Sequence, residues 1–183
     1  MRAGFRRDTN DQTRQKLTDA WGSIETATYV RSHHGYTVWH LEQSNSEDST
    51  PFLAVMFDQP VALPRDAWVM AAFAKEEGLA MKMLSGLAHL SGHKHRLQVP
   101  LQFTKRWWAW GKREIWMPHS PPDAFWEAIN RAPSLSVHFA SQGIKIDLLP
   151  TQGTYKTPGA ALLTSKETLS AVDDIAEAFL HRA

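Results

Sequence analysis

The residues best suited to chemistry lie between Gly78 and Arg113. Seven cations (Lys82, Lys94, Arg96, Lys105, Arg106, Lys112 and Arg113) share this stretch with no Asp or Glu. The whole chain of 183 residues has a net charge of only +1, so its acids are kept elsewhere. Charge of one sign interleaved with aromatic rings is the footprint of a surface that meets phosphates; a solvated basic face over an ordinary core is the plainer alternative. At the centre stands the turn Gly92-His93-Lys94-His95-Arg96. If a helix starts at Gly92, its free backbone N–H groups converge on an anion together with Lys94, His95 and Arg96. Lys94 and Arg96 would then stabilise charge on a phosphoryl group. His93 or His95 would act as general base or acid near neutral pH.

Metal chemistry is a second use for the same residues. His89, His93 and His95 are suitable ligands, and on a strand His93 and His95 would share a face. No carboxylate is close in sequence, so the fold would have to bring in Asp58, Glu76 or Glu77, and the metal is left unassigned. Glu76 is the acid placed at the catalytic site: a carboxylate beside the turn could bind Mg²⁺ or orient an attacking water. The plain alternative is that Glu76-Glu77 is a solvated pair on a helix, as is Asp173-Asp174 near the C-terminus. His33, His34 and His40 read as surface or turn residues.

Phe103–Trp116 forms the second candidate surface. Lys105, Arg106, Lys112 and Arg113 could neutralise nucleic-acid phosphates. Trp107, Trp108 or Trp110 could stack on unpaired bases, at roughly 1–3 kcal/mol per base. Strand alternation puts Trp108 and Trp110 on one face and Trp107 on the other, so Trp107 and Trp108 cannot both point inward. The sequence has no Walker-type loop, no Gly-x-Ser-x-Gly elbow and no HExxH, so any ATP hydrolysis would proceed without a P-loop.

The elements that must position these groups follow from periodicity and turn chemistry. Residues 1–8 read as a flexible basic arm, and 9–183 as a single globular domain. Met1–Arg7 is basic but is not followed by an apolar run, so it is not read as a secretory signal. No stretch approaches the roughly 20 apolar residues of a membrane span. The absence of cysteine excludes disulfides, thiolate zinc sites and cysteine nucleophiles. Asn10 or Asp11 caps a helix to Trp21. Thr26–Gln43 is a hairpin turning at His34-Gly35. Phe52–Phe57 is a strand buried on both faces. Pro64-Arg65-Asp66 opens a helix with Trp68, Val69, Ala72 and Phe73 on its apolar face. Residues 79–91 are either helix or two short strands. Leu97–Phe103 alternates as a strand, with Pro100 placing it at an edge. Lys105–Met117 is another, turning at Trp110-Gly111-Lys112. Ser120-Pro121-Pro122-Asp123 starts a helix under a capping serine. Leu135–Phe139 and Ile144–Leu149, separated by Ser141-Gln142-Gly143, make a hairpin, and Thr164-Ser165-Lys166-Glu167 caps the last helix. The sum is an α+β domain with a single mixed sheet and flanking helices.

The order helix, glycine, two short strands and glycine-led basic turn resembles the ParB/sulfiredoxin fold. Ala71–Leu79 looks like its helix-to-strand passage. Gly92-His93-Lys94-His95-Arg96 looks like its phosphate-binding box, which reads Gly-Gly-Cys-His-Arg in sulfiredoxins and Gly-Glu-Arg-Arg in ParB proteins. Gly92, His95 and Arg96 match the sulfiredoxin form. His93 stands for the second glycine and Lys94 for the catalytic cysteine, so sulfinic-acid reduction is not implied. Against ParB, Arg96 matches the last arginine and His95 replaces the one before it. The likeness covers residues 70–96. It departs in the short spacing from Gly78 to Gly92 and in the strand-like residues after Arg96, where the family continues into helix.

Small ParB/sulfiredoxin-like proteins include plasmid-borne inhibitors of conjugative and T-DNA transfer with ATPase and DNase activities. The resemblance therefore implies a DNA-binding hydrolase that inhibits transfer. It would use ATP as ligand or substrate, with Mg²⁺, and would act on DNA or on a type IV secretion protein, in the cytoplasm or at the inner face of the membrane. The alternative is a non-catalytic binder that docks its basic aromatic surface on single-stranded DNA or on an acidic transfer-apparatus protein.

Overall fold

In the computed structural model the described residues are 6–8, 15, 17–19, 21, 28–44, 49–71, 86, 90, 92–132, 135–140, 143–148, 163 and 165–181. Nine strands form one sheet: β1 (Arg6–Asp8), β2 (Thr28–Ser32), β3 (Tyr36–Ser44), β4 (Ser49–Phe57), β5 (Ala67–Ala71), β6 (His95–Arg96), β7 (Trp107–Gly111), β8 (Leu135–Ala140) and β9 (Gly143–Leu148). Among the described residues two α-helices are complete, α1 (Asp123–Arg131) between β7 and β8 and α2 (Lys166–Leu180) after β9. Residues 15, 17–19 and 21 are also helical. The strand order is β1-β2-β3-β4-β9-β8-β5-β7-β6. The α+β class holds, but every pairing among the described strands is antiparallel, so the sheet is not mixed.

Register divides the sheet into two faces, because directly paired residues point the same way. One row runs Val38, Val55, Ile144, Phe139, Ala67 and Gly111 to His95. This face carries the main core. α1 and α2 lie on it, with Phe125, Phe139 and Phe179 meeting at ring distances of 5.4–5.8 Å. The other row runs Val30, Trp39, Ala54, Lys145, His138, Trp68 and Trp110 to Arg96. On this face Leu17 packs with Val30, Trp39, Leu41, Phe52 and Ala54, and Trp21 and Met56 sit against the cluster.

Several predicted elements hold. The first hairpin turns at His34-Gly35, where Gly35 takes φ 90°, a value that favours glycine. Phe52–Val55 is buried within β4. The second hairpin closes in register from Leu135–Leu148 to Ala140–Gly143. Gly143 is needed there: a Cβ would lie 2.1 Å from the Val55 carbonyl oxygen.

Others are corrected. Arg6–Asp8 is not a loose arm but pairs with β2. Pro64-Arg65-Asp66 opens no helix. Asp66 takes φ 51°, and the chain then enters β5, which is bonded on both sides by β7 and β8. Two partners outweigh the helical spacing of Trp68 and Val69, which are strand formers in their own right. Of the supposed helix-to-strand passage, only Ala71 lies among the described residues, and it ends β5. Leu97–Phe103 is not a strand: Leu97 donates one bond to the Ala109 carbonyl, and the chain then turns into a 3₁₀ segment at Leu101–Phe103 behind Pro100. A proline without an N–H cannot continue the ladder. α1 starts at the cap position Pro122 with no side-chain cap from serine. α2 is capped by Ser165, whose Oγ accepts from the Thr168 N–H at 3.2 Å.

Candidate functional site

The basic turn does not open a helix. Gly92 takes φ 82°, and the chain passes into β6, whose His95 and Arg96 project to opposite faces. His95 Nδ1 lies 3.8 Å from Glu114 Oε1. The Arg96 guanidinium lies 6.0 Å from the Trp108 ring centre. His93 goes elsewhere: its ring meets Trp68 and His138 edge-on, each at 6.4 Å between centres. Trp68 and His138, paired across β5 and β8, have ring centres 4.4 Å apart. The Trp68 indole N–H donates to Ser136 Oγ on β8.

This aromatic group borders a cavity of about 530 Å³ lined by Trp21, Arg65, Asp66, His93, His138, Phe139, Ala140 and Lys145. The lining comes from four places: the helical residues near the N-terminus, the loop before β5, the basic turn, and the β8–β9 hairpin. On the hairpin, Lys145 stands directly opposite His138. Its ammonium lies 4.4 Å from the Phe52 ring centre and 3.7 Å from Asp147 Oδ1.

The electrostatics follow from burial. His138 is pushed down to about 3, first by desolvation and then by the charges of Lys145 and His93, so its imidazole is neutral at pH 7. Asp147 is pushed up to about 6 by burial, against the opposing pull of Lys145. Asp66 is offset by Lys112, whose Nζ lies 2.8 Å from its Oδ1. The lining holds two cationic side chains, Arg65 and Lys145, and one carboxylate, Asp66; Asp66 is paired with Lys112, and Lys145 has Asp147 beside it. Two imidazoles flank them. Such a lining can bind an anion, and His93 and His138 can exchange or orient a proton beside it.

The other predicted site residues are scattered. Lys94, Arg96, Lys105 and Arg113 are exposed. Arg106 bonds Asn130 Oδ1 at 3.1 Å. Trp107, Trp108 and Trp110 are all buried, at 1%, 6% and 4% exposure, because both faces of β7 are covered. Two adjacent tryptophans do point into packed surroundings, and none of these three rings is open to stack on a base. Glu76, Glu77 and His89 lie outside the described residues. Asp173 and Asp174 are not simply solvated: Asp173 pairs with Arg31 and Asp174 with Arg131. His40 is buried, and His33 stacks on Tyr36 at 4.6 Å.

Sequence reading missed Arg65, Asp66, His138, Lys145 and Asp147. A signal was present. In a hairpin closing at Ala140–Gly143, alternation places Ser136, His138, Lys145 and Asp147 on one face, and four polar residues facing one another across a central strand pair need a reason. Among the described residues no group of three or more His, Asp or Glu gathers as a metal site. No described helix is long and apolar enough to cross a membrane. Compared with protein families, curated proteins and solved structures, the chain matches none of them.

Proposed function

We propose that the protein binds phosphate esters in the cavity between the basic turn and the β8–β9 hairpin, and hydrolyses them. One observation carries this reading: His93, from the most basic segment of the chain, meets His138 over a cavity that also holds Arg65 and Lys145. Arg65 and Lys145 neutralise the phosphate, and His93 moves the proton of an attacking water. His138 stays neutral and orients His93 or the water. Gly92, Lys94 and Arg96 hold the rest of the ligand outside the cavity. A Mg²⁺ ion, if used, is carried in by the phosphates themselves. His95, on the helix-covered face, is left out of the reaction.

ATP and the phosphorylated ends of DNA are the substrates this reading puts first. Inhibition of conjugative or T-DNA transfer, and kinship with ParB/sulfiredoxin-like proteins, rest on the shared Gly92, His95 and Arg96 alone.

The test is turnover of ATP and of linear, 5′-phosphorylated DNA by the full chain, with Mg²⁺ and with EDTA, beside His93→Gln and Arg96→Ala. Loss of general acid–base help should slow His93→Gln by about 10²-fold or more. Arg96→Ala should weaken substrate binding and leave the maximal rate closer to wild type. Absence of wild-type turnover under every condition would refute hydrolysis.

A second reading has its own observation. Lys94, Arg96, Lys105 and Arg113 are exposed, and among the described residues no carboxylate pairs with them. Steeply salt-dependent binding of single-stranded DNA, or of an acidic transfer-apparatus protein, without phosphate release would favour a binding module.

A further inference from the structure

We infer that the cavity takes a terminal phosphate, a phosphomonoester, and excludes a phosphodiester inside a nucleic-acid strand. The inference rests on the reading above that the cavity binds phosphate, and it names the class of ester.

Position comes first. Lys145 and His138 lie on β9 and β8, the fifth and sixth strands of nine, far from either sheet edge. They form the floor. Trp21, packed with the β2–β4 cluster, stands over one side. Arg65, Asp66 and His93 line the rest. A space of about 530 Å³ suits one small ligand or one chain end, well within the roughly 300–1,000 Å³ of small-molecule sites. An internal phosphodiester arrives with a sugar on each side. To bring its phosphate to Lys145 it would have to lay two nucleotides down on the sheet, across the place where Trp21 stands. A terminal phosphate enters with a single substituent trailing outward.

Charge points the same way. A phosphomonoester carries roughly −1.5 to −2 at neutral pH, whereas an internal diester carries a single charge. Arg65 and Lys145 supply two positive charges. Asp66 is spent on Lys112 at 2.8 Å, so it does not oppose the ligand. Asp147 sits 3.7 Å from Lys145 and, with its pKa raised by burial only to about 6, is still mostly ionised at pH 7, so a ligand phosphate shares the ammonium with it while Arg65 supplies the second charge. Neutral His138 adds a donor or acceptor without adding charge. The Trp68 indole N–H is already bound to Ser136, and that bond holds the ring against His138 and keeps the imidazole in place.

The phosphomonoester could belong to a free metabolite or to a phosphorylated DNA end, and the experiment separates the two. Binding is measured by calorimetry on the full chain at low salt, with inorganic phosphate, AMP, 3′,5′-cyclic AMP, and an oligothymidine with and without a 5′-phosphate. The wild type is compared with Arg65→Ala, which alters an exposed side chain, and with Lys145→Met, after circular dichroism shows both folded. AMP is expected to bind about ten-fold or more tighter than cyclic AMP, and each variant to lose about ten-fold or more of the AMP affinity, as a charge-assisted contact to phosphate implies. Preference for the 5′-phosphorylated oligonucleotide over its 5′-hydroxyl form assigns the site to DNA ends; AMP binding without that preference assigns it to a small metabolite. Equal binding of AMP and cyclic AMP, undiminished AMP affinity in Arg65→Ala, or no binding of any monoester overturns the inference. Monoester binding without turnover of ATP or DNA leaves it standing and removes only the catalytic claim. DNA hydrolysis without monoester binding does the reverse.

Discussion

The β8–β9 hairpin has two faces made from the same twelve residues, and they could hardly differ more. Leu135, Val137, Phe139, Ile144 and Ile146 point toward α1 and α2 and are at most 3% exposed. Ser136, His138, Lys145 and Asp147 point the other way, and Ser136 is buried while the other three are half-buried. The first face follows the rule that burial of apolar area drives folding. The second breaks it: a base and an acid are held where water is scarce, and both proton affinities move toward the uncharged form, His138 downward and Asp147 upward, far enough to keep His138 neutral at pH 7 but not Asp147. Stability is built on one side of the hairpin and chemistry is kept on the other. A hairpin selected for stability alone would carry threonine or valine at these outward positions.

Substitutions one residue apart, on opposite faces of β8, should differ widely in cost. Phe139 packs against Phe125 and Phe179 beneath the helices. Phe139→Ala should cost about 3–5 kcal/mol in urea unfolding, from lost transfer energy and the cavity left behind. His138→Gln, one residue away on the opposite face, should cost far less at pH 7, where the native imidazole is already neutral. Equal losses would mean that the outward face is as much a part of the core as the inward one.

Acidity sharpens the contrast within the polar face itself. The folded chain holds His138 neutral, at about 3, so the unfolded chain binds the extra proton first as pH falls from about 6.5. His138 therefore removes stability between those values on acidification. Asp147 has the opposite sign. Its folded value is raised to about 6, so below that pH the native state binds the proton first and gains stability until the unfolded carboxyl also titrates. The two slopes oppose each other between about pH 4 and 6, and the wild type should show a shallow profile there. His138→Gln should become relatively more stable on acidification through this window. Asp147→Asn should gain on the order of 2 kcal/mol at pH 7 to 8, and the gain should vanish below pH 4. Urea midpoints from pH 3.5 to 8 test both, and identical profiles for the two variants would sink the assignment.

How far these faces could be read from sequence depends on the range of the forces involved. Both hairpins were legible because turn chemistry and alternation are local: His34-Gly35 and Ser141-Gln142-Gly143 announce themselves. The cappings of α1 and α2 were misplaced by one or two residues, as local signals at helix ends allow. β5 was misread because Trp68, Val69 and Ala72 satisfy a helical period, and only the presence of β7 and β8 on either side decides the matter. That information lies about 40 and 70 residues away. The site failed in the same manner. The turn at Gly92–Arg96 was visible as charge, but which of its histidines faces the cavity is fixed by Trp68 and His138, neither of which is near it in sequence. The tryptophans at 107–110 looked like a binding surface because nothing local says that both faces of β7 are covered.

The smallest expected effect separates two neighbouring acids on α2. Asp173 receives the Arg31 guanidinium at 2.6 Å and the Tyr36 hydroxyl at 3.2 Å, and His33 Nε2 lies 3.3 Å from it. These partners come from β2, β3 and the turn between them, so Asp173 ties the first hairpin to the helix. Burial, followed by the Asp173 charge, raises the Tyr36 pKa and keeps the hydroxyl protonated to donate. Among the described residues Asp174 pairs with Arg131, and the side chains are 40% and 59% exposed, respectively. Charge-assisted bonds that are half withdrawn from water survive solvent competition better than open ones. Asp173→Asn should therefore cost about 1–2 kcal/mol, and Asp174→Asn less than about 0.5 kcal/mol. Raising the salt to 1 M should erase the second loss and leave most of the first, because only the exposed pair is screened at that range. Equal sensitivity to salt would place both acids on the same footing, and the hairpin would then be held by the packing of Tyr36 and by Leu180 against Gly35, not by its charges.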